Sequence, residues 1–198
     1  SITDPKKQAR STEILKRLIE LCAILGGRVL VHGSPAQRIA QSGRNPEETH
    51  ADLAEFFAPI ARMAQQAGVV YCIEPLTRAE TNVINTVEDA VKLVAEVASP
   101  SFRTMIDTSA AGQTEDMPVA DLIRQWVPTG NIAHIQVNDT NRGAPGTGTD
   151  PFPDIVRALR DTGWPHAVAV EPFRTVINAT TTAALAAATM RACWEATA

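Results

Sequence analysis

Apolar residues follow two different rhythms along this chain, and the two alternate from end to end. In STEILKRLIELCAIL, residues 11–25, the apolar positions Ile14, Leu15, Leu18, Ile19, Cys22 and Leu25 recur at helical spacing, and Gly26-Gly27 supplies the stop. RVLVHG, residues 28–33, is a short unbroken apolar run instead, which is how a strand reads when both of its faces are covered. The pair then repeats. A helix over 46–67 leads to VVYCIE (69–74), and one over 86–97, capped by Asn85 or Thr86 with Glu88 or Asp89 three residues on, leads to FRTMID (102–107). A helix near 118–127 leads to NIAHIQV (131–137), one near 151–162 leads to HAVAVE (166–171), and an Ala-rich helix over 181–196 closes the chain. Five strands separated by helices long enough to be crossovers predict an α/β fold with a parallel sheet.

Composition narrows the class of partner. With 198 residues, 44% hydrophobic and 20% charged, the chain can bury a real core, and one domain over 1–198 is the default. The net charge is -4 and the basic residues are scattered, so neither a nucleic acid nor an anionic membrane is an expected partner, and a small molecule is. Cys22, Cys72 and Cys193 lie far apart, odd in number and without CxxC spacing, so they read as reduced packing residues. SITDPKKQAR has no signal-peptide apolar region and no stretch reaches 18 apolar residues. The expected location is the cytoplasm.

The chemistry sits where the strands end. VVYCIE ends in Glu74, FRTMID in Asp107, IAHIQ in Gln136 and AVAVE in Glu171, so four successive strands each finish on an oxygen-bearing side chain, at separations of 33, 29 and 35 residues. In parallel α/β folds the carboxyl edge of the sheet is where sites are built. If the strands curve into a barrel, the four side chains converge, and three carboxylates together repel unless a cation neutralises them. An oxygen-only set of three carboxylates and an amide suits a hard divalent ion, Mn²⁺ or Mg²⁺. The competing reading is that each carboxylate caps the following helix or pairs with an arginine.

IEPLTRAETNVINT (73–86), MIDT (105–108), HIQVNDTNRGAPGTG (134–148) and VEPF (170–173), taken together and in order, resemble the xylose-isomerase-like TIM-barrel superfamily, in its ketose 3-epimerase and hydroxypyruvate isomerase branch. The resemblance implies a (β/α)8 TIM-barrel type of fold and a sugar isomerase/epimerase that moves a proton next to a carbonyl through a cis-enediolate. It assigns the metal to Glu74, Asp107, Gln136 and Glu171, with Glu74 and Glu171 doubling as acid and base. By the same resemblance Glu80 and Arg142, six residues after Glu74 and Gln136, would hold the carbonyl end of the substrate, and GAPGTG would bring backbone up to the ligand. His32, at the end of its strand, could face the pocket; His134, deeper on the strand that ends in Gln136, reads as a packing residue.

Three departures qualify the match. Ala110 stands where the family usually shows a substrate-binding His, so the substrate can differ from a plain ketose. Gln136 in place of His leans toward hydroxypyruvate or oxo-tetronate isomerases, while TRAETNVINT leans toward the epimerases, so the substrate is a small ketose or a hydroxy-keto acid. The motifs correspond to the last five strands of a barrel that takes about 250 residues, so about the first three βα units have no counterpart upstream of Ser1. Exposed edges at RVLVHG and HAVAVE then predict a homo-oligomer or other association. A non-catalytic remnant is a further reading. A hydrolase like the apurinic-site endonucleases would need several more His ligands and a basic groove, and this chain supplies neither.

Overall fold

The computed structural model describes residues 1–197. The chain divides into two compact units, Ser1–Met105 and the residues from Ile106 onward, and the division falls inside a strand.

The first unit runs α1 (Pro5–Ile24), β1 (Val29–His32), a 3-10 turn (Pro35–Gln37), α2 (Pro46–Ala67), β2 (Val70–Ile73), α3 (Val87–Val97) and the start of β3 (Phe102–Asp107). Helix α1 begins six residues before the expected Ser11, because the Asp4 carboxylate accepts from Lys6 N and Pro5 occupies the first turn, where its missing N–H costs nothing. In α2 the Asn45 side chain and Glu48 form a reciprocal capping box, and Gly68 closes the helix at φ +70°. The choice of cap for α3 is settled as Thr86, paired reciprocally with Asp89. Strands β1 and β2 pair in parallel with His32 opposite Ile73, and β2 and β3 with Ile73 opposite Thr104. Phe57 of α2 fills the space above them, its ring 5.8 Å from Tyr71 and 5.1 Å from Phe102. All three rings are buried.

The second unit carries α4 (Thr108–Thr114), α5 (Val119–Trp126), β4 (Ile132–Gln136), α6 (Phe152–Asp161) and α7 (Ala179–Ala196) around a core that includes Ile123, Ile135, Ile155, Val156 and Leu159. Helix α4 was not expected. It starts directly from the end of β3, because the Asp107 carboxylate caps it by accepting from Ala110 N at 2.8 Å.

The four strands form one parallel sheet in the order β1-β2-β3-β4. The fifth expected strand, HAVAVE, is not one. It contributes a single bridge, Gln136 to Ala169, in which Val137 N donates to Ala169 O and Ala169 N donates to Ile135 O. Pro165 and Pro172 bracket the segment and cannot donate to a ladder, Val170 is exposed, and the next amide, that of Glu171, donates to a side chain instead. Cys22, Cys72 and Cys193 are free thiols, as expected. Among the described residues no helix is long and apolar enough to cross a membrane.

Candidate functional site

In the second unit, the end of β4 runs into a cluster of polar side chains. Asn138 is buried and bonded in four directions. Its Nδ2 donates to Asp107 Oδ2 at 2.8 Å, its Oδ1 accepts from Glu171 N at 2.8 Å, its N–H donates to Thr108 Oγ1, and its carbonyl accepts from the same hydroxyl. One side chain thus ties two of the expected metal ligands together. Asp107 and Glu171 offer carboxylate oxygens within 4.8 Å of one another. Asp107 caps α4 through one oxygen, the competing reading weighed for it, while its other oxygen accepts from Asn138.

Glu171 is exposed, yet its carboxyl is pushed above the ordinary range, first by partial desolvation and then by the Asp107 charge, with an opposing hydrogen bond from the Gln136 amide. Gln136 is buried, and its Oε1 has no hydrogen-bond partner. A buried amide oxygen left without a donor, beside the Asp107 and Glu171 carboxylates, is what a divalent cation would satisfy, so these residues fit the implied metal.

Asp139, which the sequence reading did not single out, organises the loop that follows. Its Oδ2 accepts from the amides of Gly146, Thr147 and Gly148, and its Oδ1 from Asp150 N. A Cβ at Gly148 would lie 2.5 Å from Asp139 Oδ1. Within GAPGTG, a glycine at 148 thus lets backbone close on Asp139. Arg142 adopts φ +66°, its carbonyl accepts from Phe173 N and Arg174 N, and its guanidinium lies 4.3 Å from the centre of the Phe173 ring. His134 is half-buried and its imidazole is pulled toward the neutral form by burial, in keeping with a packing role.

In the first unit, Glu74 follows β2 and is buried, with its N–H donating to the His32 carbonyl. Gly33 leaves room for its carboxylate: a Cβ there would lie 2.1 Å from Glu74 Oε2. Arg38 is wholly buried and donates from Nη2 to the Glu74 carbonyl at 2.5 Å, while its Nε and Nη1 have no partner. Burial lowers its pKa to about 10, although the charges of Glu74 and Glu80 act in the opposite direction. His32 is buried with Nδ1 2.5 Å from the Tyr71 hydroxyl and Nε2 unpartnered, and desolvation followed by the Arg38 charge lowers its pKa to about 3. Glu80 accepts from Thr77 Oγ1 at 2.8 Å and so closes the turn after β2.

Asn138, Asp139, Arg38 and Tyr71 all escaped sequence reasoning as site residues. The polar run NDTN after an apolar strand was a usable signal for the first two. Nothing in HGSPAQR marks Arg38 as buried.

Comparison with known proteins follows from this geometry. Residues 1–193 match the profile of the xylose isomerase-like TIM barrel family. The chain is 30% identical over 172 residues to a D-psicose 3-epimerase of Ruminiclostridium cellulolyticum, covering 86% of this chain and 57% of that protein. It is 29% identical over 181 residues to an L-ribulose 3-epimerase of Mesorhizobium japonicum, covering 89% of this chain and 59% of that protein. It thus spans somewhat over half the length of these relatives. Among solved structures, an L-ribulose 3-epimerase superposes with a TM-score of 0.85 at 24% identity, covering 99% of this chain and 71% of the other. A 3-keto-D-glucoside 4-epimerase from E. coli superposes at 0.84 and 21% identity, covering 97% and 75%; at these identities the two structures establish the TIM-barrel-like α/β fold alone.

Proposed function

The chain belongs to the xylose isomerase-like TIM barrel family, and from that premise we propose that it is a divalent-metal-dependent sugar isomerase/epimerase acting on a small ketose or hydroxy-keto acid. The observation that carries this reading is the Asp107–Asn138–Glu171 tie beside the unpartnered Gln136 oxygen. The names of the relatives, epimerases of D-psicose and L-ribulose, support the substrate class. Glu74, Asp107, Gln136 and Glu171 are the ligands we assign, with Mn²⁺ or Mg²⁺ as the ion. When bound, the cation supplies the charge stabilisation that lets a proton next to a carbonyl leave, worth several kcal/mol.

The protein's own residues do the rest. Glu171, whose carboxyl holds its proton more tightly than usual, is the group that takes and returns the proton, and such a general base contributes roughly 10²- to 10⁴-fold. Glu74 is the second proton carrier. Asn138 keeps the Glu171 backbone in place while the side chain exchanges its proton, and Arg142 and Glu80 hold substrate oxygens. Glu171→Gln preserves shape and removes the base. Turnover of D-psicose or of hydroxypyruvate, followed with Mn²⁺ by exchange of substrate hydrogen into deuterated water, should vanish in that variant; unchanged exchange would refute the assignment.

We further propose that copies associate through β1, which ends the sheet order, and through the neighbouring α1, where Ile14, Leu18, Leu21, Ile24 and Leu25 are exposed. A monodisperse 21.2 kDa species in sedimentation would argue against association.

A further inference from the structure

Gln136, the last residue of β4, is a buried side chain whose two ends meet opposite surroundings. Its amide hydrogen-bonds to the Glu171 carboxylate, and a carboxylate only accepts, so the end that faces Glu171 is the NH₂ group. The other end, Oε1, is buried without a partner. The two ends of an amide have the same shape and are told apart only by their bonds. Turning the side chain over would set its oxygen against the Glu171 carboxylate and lose the bond, so Glu171 decides which end is left free. The backbone is held as well, through the bridge from Gln136 to Ala169.

A buried acceptor without a donor costs the desolvation of that group, and the surroundings do not offer a donor. Asp107 and Glu171, whose carboxylate oxygens lie within 4.8 Å of one another, only accept when ionised. Thr108 Oγ1 and Asn138 Nδ2 donate elsewhere, to the Asn138 carbonyl and to Asp107. What suits the free oxygen is a cation. The carboxylates able to hold one are joined, among the described residues, by no imidazole and no thiolate. His134, two residues earlier on the same face of β4, is half-buried and outside that group.

Donor type decides which ions profit. For a given site, affinity rises from Mn²⁺ toward Ni²⁺ and Cu²⁺; imidazole nitrogen suits Ni²⁺, Cu²⁺ and Zn²⁺, whereas carboxylate and carbonyl oxygens suit Mg²⁺ and Mn²⁺. We propose that Gln136 sets the metal selectivity of the site: its amide oxygen completes an oxygen-only set of ligands, which denies the later metals the nitrogen donor they favour and keeps Mg²⁺ and Mn²⁺ competitive. This rests on the metal-dependent reading above and specifies what that site discriminates. Glu171 takes part by holding the NH₂ end, so that oxygen, and not nitrogen, is presented to the ion.

The test reads metal binding apart from turnover. Metal-stripped protein would be titrated calorimetrically with Mg²⁺, Mn²⁺, Ni²⁺ and Zn²⁺, and the Mn²⁺-loaded protein examined by pulsed electron paramagnetic resonance, which detects a nitrogen bound directly to the ion. Wild type should show no directly bound nitrogen. Gln136→His should introduce that signal and raise the ratio of Ni²⁺ to Mn²⁺ affinity by roughly 10- to 100-fold, the scale of effect that changes around a metal have. Gln136→Ala, which removes the oxygen without supplying a nitrogen, should weaken all four ions together. Directly bound nitrogen in wild type overturns the proposal even if neither variant folds, and so does an unchanged affinity ratio in folded Gln136→His or unaltered affinities in folded Gln136→Ala. Failure of wild type to bind any of the four ions would remove the metal-dependent reading along with this one. Metal binding with hydrogen exchange on D-psicose, but with a selectivity that Gln136→His does not move, would remove this one alone.

Discussion

Asn138→Ala offers the sharpest test of how the second unit is held. The substitution deletes a hydrogen bond to the Asp107 carboxylate and another from the Glu171 amide, both at 2.8 Å, while leaving the backbone pairing of residue 138 with Thr108 intact. A bond to a charged group is worth about 1.5–3 kcal/mol and a neutral one about 0.5–1.5 kcal/mol, so the expected loss is about 2–4 kcal/mol. With a urea dependence of roughly 2 kcal/mol per molar, the unfolding midpoint should fall by about 1–2 M. Metal-free protein followed by circular dichroism gives the midpoint, and hydrogen exchange at the Glu171 amide should change from slow to fast. Asn138→Asp separates the two bonds. It keeps the acceptor for Glu171 N but sets a carboxylate where Nδ2 now faces Asp107, so its own pKa must rise in the folded state. A raised carboxyl pKa means that the ionised form is the destabilised one. The deficit is therefore full at neutral pH and shrinks as pH falls toward the ordinary carboxylate range. A midpoint for Asn138→Ala within about 0.3 M of wild type, roughly a sixth to a third of the predicted shift, would show that this side chain does not hold the Asp107 and Glu171 segments together.

His32 predicts a pH dependence of the opposite sign. Its pKa falls from the ordinary 6.5 to about 3 in the folded state, so the stability it confers is present above pH 6.5 and drains as pH drops toward 3. His32→Asn should flatten that slope in acid unfolding by up to one proton's worth, about 1.4 kcal/mol per pH unit, and an unaltered slope would show that His32 titrates freely. Gly33→Ala places a Cβ 2.1 Å from Glu74 Oε2 and must displace that carboxylate. Mn²⁺ affinity by titration calorimetry should drop roughly 10- to 100-fold with little change in helical content. Asp139→Ala strips four backbone amides of their acceptor. It should cost about 3 kcal/mol or more and open the loop around Gly146–Gly148 to protease, whereas a protease-resistant loop would refute the role given to Asp139.

Much of this was legible in the one-dimensional pattern, and the reason is local. Helix α2 coincides with its expected limits because Asn45, Pro46 and Gly68 are start and stop signals written in side-chain and backbone chemistry within a few residues. The strand ends carrying Glu74, Asp107 and Gln136 were readable because an apolar run that stops at a carboxylate or amide is itself the signal. HAVAVE shows the limit. Its composition is that of a strand, but a strand exists only if neighbours take its hydrogen bonds, and Asn138 takes the amide of Glu171 instead. Periodicity cannot report a competitor thirty-three residues away. Nor could it see that Asp107 divides its two oxygens between α4 and Asn138, or that the glycines of GAPGTG close around Asp139.

Sequence alone determined the alternation of helix and strand, the parallel α/β class and which residue types crowd the strand ends, since each depends on near neighbours and on the side chains' own chemistry. Tertiary structure alone decided that Arg38 is buried with two nitrogens unmet, that His32 stays neutral against Tyr71 and that Asn138 joins Asp107 to Glu171. Burial and hydrogen-bond partnership are properties of packing between distant segments, and a residue's charge state and reach follow from them rather than from its identity.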